Sequence, residues 1–298
     1  MVKILNIGSI NIDFVYKVSQ FPEVGETLPV DAPLKFPGGK GLNQSVAMAY
    51  AGVEIYHAGK TGPDGEWLVH TLTEAGVHTE YIDTGGSMTG HAIIQVDPDG
   101  HNIILVCSGA NFELERQYVD TIINKFSAGD ILVLQNEVNE IEYIMQKARQ
   151  RGMKIYFNPS PITTAIIDLP LKYVDTFILN EIEGQTLTGK REFEDIAVEM
   201  TKLYPDAAIV LTLGKHGVLY RHGDFVLSHG VYDVPVVDTT AAGDTFAGYF
   251  ISSVAVGKDV GEALRLASLA SSIAVSRQGA SVSIPTLTET TECVLTPL

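Results

Sequence analysis

The chain has 298 residues, of which 45% are hydrophobic and 19% are charged, and its formal net charge is −16. This length fits one large α/β domain or two modest ones, and the charge excludes a nucleic-acid backbone or an anionic membrane surface as a general partner. No stretch approaches the roughly 20 uninterrupted apolar residues of a membrane span, and two cysteines are too few for a disulfide scaffold or a cysteine metal cluster. We therefore expect a cytoplasmic globular protein.

Apolar segments rich in Ile, Val, Leu and Phe are predicted to form buried strands at residues 3–10, 130–137, 154–160, 176–181 and 207–214. Helical apolar spacing occurs at residues 41–53, 65–77, 141–152 and 193–206, and a further helix with an exit loop is predicted within residues 255–281. Strands that alternate with helices of about a dozen residues predict a parallel sheet covered by helices on both faces.

Two segments interrupt this alternation. Residues 25–36 alternate loosely between apolar and polar side chains, and residues 90–108 are typical of a hairpin around the turn Asp97–Gly100. We expect them to form extra antiparallel strands in a small flap beside the main sheet. No repeat, low-complexity linker or compositional boundary divides the chain, so we expect residues 1–298 to form one domain.

Polar or glycine residues follow several of the predicted strands. In parallel sheets of this kind, ligands bind beyond the carboxyl ends of the strands. The residues at these ends are Gly8, Ser9, Asn11, Asp13, Glu137, Asn158, Asn180, Glu181, Thr212 and Gly214. Each is ordinary in a turn or cap, but together they indicate a binding site at this edge.

The segment "FPGGKGLNQ", residues 36–44, places three glycines and a lysine before a predicted helix. Glycines allow the backbone to approach a ligand, and the amides of a helix N-terminus favour oxygen-rich groups. The segment lacks the G-x-x-x-x-G-K-[ST] pattern of a phosphate loop, and the first strand lacks the G-x-G-x-x-G dinucleotide pattern. A plain helix entry is the alternative interpretation.

A second glycine segment, "VVDTTAAGDTFAGYF" (residues 236–250), places Asp244 at the start of an apolar helix. Aspartate is a favourable N-cap because its side chain accepts hydrogen bonds from the amides of the first turn. Alternatively, those amides hold an anion while Asp244 accepts a proton from a neighbouring group. The segment alone leaves both interpretations open.

Taken together, "GGKGLNQSVA" and "DTTAAGDTF" resemble the two signatures of the PfkB family of carbohydrate kinases, and within it the ribokinase branch. The intervening segments "TGPDGEWL", "NPSP", "NEIE" and "TLGKHG" follow in the family order, so the resemblance extends from Gly8 to about Pro285. It implies a ribokinase-like α/β three-layer sandwich with a mostly parallel central sheet and a small antiparallel β lid, at about residues 14–37 and 88–108.

The resemblance also implies an ATP-dependent transfer of phosphate to a primary hydroxyl of a pentose, with D-ribose as the expected substrate. Asp244 matches the general base, and Ala241, Ala242 and Gly243 match the anion hole that meets the charge of the transferring phosphoryl group. The residues that match sugar-binding positions are Asn11, Asp13, Gly39, Lys40, Asn43 and Glu137.

The remaining matches concern ATP and cations. Asn180 and Glu183 match a motif associated with Mg²⁺ and phosphate, and Thr212, Gly214, Gly217 and Ser268 match nucleotide contacts. A site for K⁺ or another monovalent cation, built mostly from backbone oxygens, is implied at Asp238, Thr240, Ala274, Arg277, Gly279 and Ser283. The lid is expected to pair two subunits, although Pro29, Pro33 and Pro37 cannot donate hydrogen bonds to a strand ladder.

Rival functions remain open on the sequence alone. They are a kinase for another sugar or a nucleoside on the same scaffold, and a sugar-binding regulator without catalysis. No aromatic cluster that could stack a nucleoside base is evident, and the intact Asp244 segment disfavours a mere binder. The sequence does not select the sugar.

Overall fold

The computed structural model describes residues 2–298. Nine strands form one sheet, in the spatial order β13, β12, β11, β10, β9, β8, β1, β4, β5. In chain order these are β1 (Ile4–Ile7), β4 (Ile55–Lys60), β5 (His78–Asp83), β8 (Ile131–Gln135), β9 (Lys154–Asn158), β10 (Thr176–Asn180), β11 (Ala208–Thr212), β12 (Val218–His222) and β13 (Phe225–His229). The strands from β11 to β5 are parallel to one another, and β12 and β13 extend the sheet as antiparallel strands.

Helices cover both faces of this sheet. They are α1 (Lys40–Tyr50), α2 (Glu66–Glu74), α3 (Arg116–Ile123), α4 (Ile141–Arg151), α5 (Glu181–Thr188), α6 (Phe193–Leu203), α7 (Ala242–Ala255), α8 (Val260–Val275) and α9 (Leu287–Glu292). Within residues 2–298, no helix has the combination of length and apolar character that crossing a membrane would require.

The strand sequences explain why there are two helical layers. Successive side chains of a strand point to opposite faces of the sheet, so a strand that is apolar throughout needs cover on both sides. On β1, Leu5 and Ile7 pack in the core that contains α3, α4 and α6, whereas Ile4 packs in the core that contains α1, α7 and α8. The predicted three-layer α/β sandwich with a mostly parallel sheet is confirmed.

A second, four-stranded sheet has the order β3, β2, β6, β7, with β2 at Asn11–Lys17, β3 at Leu34–Gly38, β6 at Gly90–Val96 and β7 at Asn102–Cys107. The predicted hairpin is present as the antiparallel pair of β6 and β7. The central pair, β2 and β6, is parallel, whereas β2 and β3 are antiparallel. We call this sheet the lid sheet.

The N-terminal part of the lid sheet differs from the predicted strand at residues 25–36. Only Leu34–Gly38 is a strand, and residues 18–33 form no ladder. Pro29 and Pro33 lie outside the strand, and Pro37 is accommodated because β3 is an edge strand, which needs no donor on its outer side.

Candidate active site

The carboxyl end of the large sheet meets the N-termini of two helices. The loop after β1 contacts the start of α1, where the Leu42 N–H donates to the Ser9 carbonyl at 2.9 Å. The start of α1 in turn contacts α7, since Asn43 Nδ2 donates to Asp244 Oδ2 at 3.1 Å. The two glycine segments, about 200 residues apart in the sequence, therefore form one site.

Asp244 is the third residue of α7 and is 5% exposed. Its carboxylate accepts one hydrogen bond from Asn43 and another from Gln44 Nε2, at 3.0 Å to Oδ1. The N-cap position belongs to Ala241, and no side chain caps the helix. The N-cap interpretation of Asp244 is therefore wrong, because its carboxylate faces α1 rather than the amides of its own first turn.

The first turn of α7 leaves backbone donors available. Within residues 2–298, no hydrogen bond uses the N–H groups of Gly243 or Asp244, whereas the Ala242 N–H donates to the Thr239 carbonyl at 3.3 Å. Ala241 has φ of 59°, in the left-handed region that a residue with a Cβ rarely adopts. This strained backbone turns the chain into the helix, with free amides beside a buried carboxylate.

Glu137 joins three segments of the site. One of its oxygens, Oε2, accepts a hydrogen bond from the Lys40 N–H at 2.9 Å and a second from the Ser9 hydroxyl. Ser9 Oγ also accepts from the Gly41 N–H at 3.2 Å. Glu137, which follows β8, thus fixes the loop after β1 against the first turn of α1.

Asn11 opens β2, where the loop after β1 becomes the lid sheet. Its side-chain oxygen accepts a hydrogen bond from Asn111 Nδ2 at 2.7 Å, and Asn111 Oδ1 accepts from the Ile10 N–H at 2.9 Å. Gly90 lies opposite Asn11 in the ladder, and a Cβ there would lie 2.3 Å from Asn11 Oδ1. The position of Asn11 therefore depends on a buried asparagine and on a glycine.

Asp13 follows on the same face of β2, and no donor within residues 2–298 forms a hydrogen bond with its carboxylate. Burial, together with the charges of Glu137 and Asp244, raises the pKa of Asp13 to about 7. On the neighbouring strand β3, Gly38 leaves no space for a side chain, because a Cβ there would lie 2.2 Å from Asp13 Oδ2. Asp13 is thus held close to other acids with its acceptor capacity unused.

Lys40 is the cation among these acids. Burial alone would lower its pKa, but the charges of Asp244, Glu137 and Glu183 outweigh burial and raise it. Burial raises the pKa of Glu137, although Lys40 opposes that effect. Because the local carboxylates outnumber the cation, an anionic ligand such as a triphosphate needs an added cation or free amides in order to bind.

Asn180 and Glu183 form a capping box at the start of α5. The Glu183 N–H donates to Asn180 Oδ1 at 3.0 Å, and the Asn180 N–H donates to Glu183 Oε2 at 2.9 Å. Glu183 is 3% exposed, and burial raises its pKa. The pair has a structural role as a cap, and its carboxylate also lies within electrostatic range of Lys40 and Asp244.

The predicted nucleotide residues lie at the neighbouring strand end and on α8. Thr212 ends β11, and its hydroxyl donates to the Leu179 carbonyl at 3.3 Å. Gly217 has φ of 87°, and a Cβ there would lie 2.1 Å from the His229 carbonyl oxygen. Ser268 is buried on α8, one turn before Ser271, whose hydroxyl donates to the Ala242 carbonyl at 3.0 Å.

The predicted cation residues converge on Asp238. Its Oδ1 accepts hydrogen bonds from the Thr240 N–H at 2.9 Å and the Thr240 hydroxyl at 2.6 Å, and its Oδ2 accepts from the Gly279 N–H at 3.0 Å. Ala274 lies in the last turn of α8 and accepts a hydrogen bond from the Arg277 N–H, and Ser283 lies in a short helical turn at residues 281–283. The Asp238 oxygens are thus occupied by the chain, and coordination of K⁺ would fall to backbone oxygens of these loops.

Sequence reasoning assigned no role to several buried polar residues that support the site. They are Asn6, Gln44, Gln135 and Asn111, each no more than 1% exposed. Gln44 lies inside the glycine segment, and Gln135 lies in the predicted strand at residues 130–137. A polar residue at a position where an apolar one is expected is the sequence signal that could have identified them. A cavity of about 460 Å³ between β5 and α3, lined by Glu80, Asp83 and Tyr118, shares no residue with this site.

Comparisons with known proteins agree with this geometry. The profile of the pfkB family carbohydrate kinases matches residues 1–287. A protein named ribokinase from Haemophilus influenzae is 36% identical over 296 residues, covering 96% of each chain. Such identity over nearly the full length extends far beyond the two glycine segments.

Solved structures show the same fold. The crystal structure of ribokinase from Cryptococcus neoformans in complex with ADP aligns with a TM-score of 0.87 and 31% identity, over 98% of this chain and 99% of that one. Arabidopsis thaliana ribokinase complexed with ribose and ATP aligns with a TM-score of 0.86 and 27% identity, over 98% of both chains. The chain therefore belongs to the pfkB family of carbohydrate kinases.

Proposed function

We propose that this ATP-dependent sugar kinase phosphorylates a primary hydroxyl of a pentose, converting D-ribose to ribose 5-phosphate. The observation that carries the proposal is the buried Asp244 carboxylate beside the free amides of Gly243 and Asp244 at the start of α7. The relatives named ribokinase support ribose as the sugar.

In this reaction Asp244 accepts the proton of the sugar hydroxyl as its oxygen attacks the γ-phosphorus of ATP, and the bond to the ADP oxygen breaks. The free amides of Gly243 and Asp244, in the proposed anion hole at Ala241, Ala242 and Gly243, face the charge that develops on the transferring phosphoryl group. Two amide donors, from Asn43 and Gln44, hold the Asp244 carboxylate in place at the start of α7.

We assign sugar binding to the polar groups of β2, the start of α1 and the loop after β8, which lie close to Asp244. A polyol requires several fixed donors and acceptors. Asp13 supports the assignment best, because its buried carboxylate accepts no hydrogen bond from the chain and can accept one from a sugar hydroxyl. The proposed sugar residues are Asn11, Asp13, Gly39, Lys40, Asn43 and Glu137.

ATP is assigned to the ends of β10 and β11 and to α8, through Asn180, Glu183, Thr212, Gly214, Gly217 and Ser268. Bound Mg²⁺ would neutralise phosphate charge during the transfer, and oxygen donors such as Glu183 suit it, directly or through water. The excess of carboxylates around Lys40 supports a need for such a cation. The loops around Asp238 are proposed to hold K⁺.

We also propose that residues 1–298 act as one domain in a cytoplasmic homodimer that pairs through the lid sheet. All six residues of β7 are exposed, and four consecutive apolar side chains, from Ile103 to Val106, are 45–63% exposed on this edge strand. An open apolar edge of this kind favours association.

The substrate is tested with ATP and a panel of free sugars that includes D-ribose, 2-deoxy-D-ribose, D-fructose and a nucleoside, with ADP release as the readout. We expect the highest kcat/KM for D-ribose. A higher kcat/KM for another sugar or for the nucleoside would replace D-ribose as the proposed substrate. If no compound of the panel caused ADP release, the assignment as a kinase for this class of substrate would be contradicted.

The base is tested with Asp244→Asn. We expect kcat to fall about 10²- to 10⁴-fold, the usual contribution of a general base. The new NH₂ group can pair with Asn43 Oδ1, which has no other hydrogen-bond partner within residues 2–298, if the Asn43 amide reverses, so we expect the variant to remain folded. Activity is measured well below the Tm, and a variant that keeps more than about a tenth of kcat contradicts the assignment.

A further inference from the structure

A continuous network of buried hydrogen bonds connects Asp244 on α7 to side chains of α1, β8 and β1. Gln44 donates to Asp244, and Gln135 Nε2 donates to Gln44 Oε1 at 2.7 Å and to Asn6 Oδ1 at 3.1 Å. Asn6 Nδ2 then donates to the Gly41 carbonyl and to Ser45 Oγ, both at 2.8 Å. The side chains come from α1, β8 and β1, and none of them is more than 1% exposed.

The orientation of every side-chain amide in this network is determined by the groups at its two ends, the Gly41 carbonyl and the Asp244 carboxylate. The Gly41 carbonyl can only accept, so Asn6 must present its NH₂ group there and its oxygen to Gln135. Gln135 must then present NH₂ to Asn6, and the same NH₂ group donates to Gln44 Oε1. Gln44 is left with its NH₂ group facing Asp244, where an ionised carboxylate accepts it.

Reversal of any single amide would place two donors or two acceptors in contact in a site without water access. If the Gln44 amide turned over, its NH₂ group would meet the NH₂ group of Gln135, and Gln135 could turn only by losing its bond to Asn6. A buried unsatisfied polar group costs about 1–3 kcal/mol. The packing thus fixes a hydrogen-bond donor at Asp244.

We infer that Gln44, Gln135 and Asn6 are positioning residues for phosphoryl transfer, which hold the Asp244 carboxylate in the orientation that reaches the sugar hydroxyl. This inference rests on the proposed role of Asp244 as the base. These residues are not assigned a contact with substrate, since none of them is more than 1% exposed.

A purely structural role predicts different results. In that case the three amides only tie β1, β8 and α1 together, so their loss lowers Tm and leaves the chemical step unchanged. A positioning role acts through Asp244, so their loss lowers kcat more than it raises the KM of the sugar.

The first test is Gln44→Met, which removes the donor while keeping an unbranched side chain of similar length. We expect kcat to fall about 10- to 100-fold, as for loss of a hydrogen bond to a charged group, with less than about a threefold change in the KM of either substrate. Tyr249→Phe is the matched control, because it removes a buried hydrogen bond of the same helix α7, from the Tyr249 hydroxyl to the Pro285 carbonyl at 2.7 Å. We expect the control to lower Tm and leave kcat unchanged.

The second test is a double-mutant cycle. In the Asp244→Asn background, Gln44→Met should change kcat less than about twofold, because the base through which it acts is already absent. An equal loss of kcat in both backgrounds, or wild-type kcat in Gln44→Met, would overturn the inference while leaving the base assignment in place. High activity of Asp244→Asn alone would instead overturn the base assignment, and the inference with it.

If Gln44→Met does not fold, Gln135→Met applies the same test from one step further away. It keeps the Gln44 amide but removes the donor that fixes its orientation. We expect a smaller fall in kcat, about 3- to 10-fold, with less than about a threefold change in the KM of either substrate. Unchanged kcat in that variant would overturn the inference.

Discussion

Replacing Asp13 by Asn should make the protein more stable and worse at binding its sugar. The Asp13 carboxylate accepts no hydrogen bond from the chain, and burial together with the charges of Glu137 and Asp244 raises its pKa from 3.8 to about 7. Such a group is costly to ionise in the folded state, whereas the unfolded chain ionises it freely. Asn keeps the shape and removes the charge.

The size of the effect follows from linkage. Between pH 3.8 and about 7 the folded state binds more protons than the unfolded state at this residue, so the stability falls as pH rises through that interval. Above both values the loss reaches roughly 4 kcal/mol, and at pH 5 it is under about 2 kcal/mol. Because the side chain is partly open to water, we take these values as upper bounds.

The assay is thermal unfolding of the sugar-free protein at pH 5 and pH 8. At roughly 2 °C per kcal/mol for a chain of this size, we expect the Tm of Asp13→Asn to exceed that of the wild type by several degrees at pH 8, and by clearly less at pH 5. The exposed carboxylate Asp31 provides the control, since Asp31→Asn should leave Tm unchanged at both pH values. In activity assays, Asp13→Asn should raise the KM of the sugar far more than that of ATP.

Two results would refute this reasoning. If the Tm of Asp13→Asn at pH 8 were equal to or below that of the wild type, the charge on Asp13 would not destabilise the folded protein. An equal rise of the KM for the sugar and for ATP would remove Asp13 from the sugar site.

Three further predictions concern other parts of the molecule. If the loops around Asp238 hold K⁺, the activity should rise with K⁺ well beyond the response to a bulky cation at equal ionic strength, and indifference to the identity of the cation would remove that site. Leu105→Glu on the exposed strand β7 should convert a lid-paired dimer to a monomer in analytical ultracentrifugation, whereas an unchanged mass would contradict pairing through β7. Gly38→Ala should raise the KM of the sugar at least tenfold, because the new Cβ would lie 2.2 Å from the Asp13 carboxylate and displace it, and an unchanged KM would argue against that contact.

The central strands were predictable because their apolar runs are continuous and bounded by polar turns. The strands β8, β9, β10 and β11 lie within the predicted segments, but β4 was missed because His57 and Gly59 interrupt its apolar run. His57 is fully buried, and burial lowers its pKa to about 4, so it is present as a neutral core residue. Such an environment exists only after the chain has folded.

The candidate site was predictable in part for a similar reason. Asp244, Asn43 and Lys40 stand in glycine-rich segments whose composition is unusual, so a local pattern identifies them. Gln135 lies at the end of β8 and Asn6 lies inside β1, and only tertiary pairing brings them to Gln44. The position of Asp244 within its helix could not be predicted from the local sequence either. The N-cap is Ala241, which has a left-handed backbone conformation and lies three residues before Asp244.

The parallel pairing of β2 with β6 has a consequence for the order in which the protein folds. The chain that joins these two strands passes through α1, β4, α2 and β5, so the central pair of the lid sheet has no local route of formation. Contacts between distant segments form late, because loop-closure entropy opposes them until the intervening chain is compact. We expect the amides of β2 and β6 to lose hydrogen-exchange protection whenever β1, β4 and β5 separate, whereas the lid sheet can open while those strands remain paired.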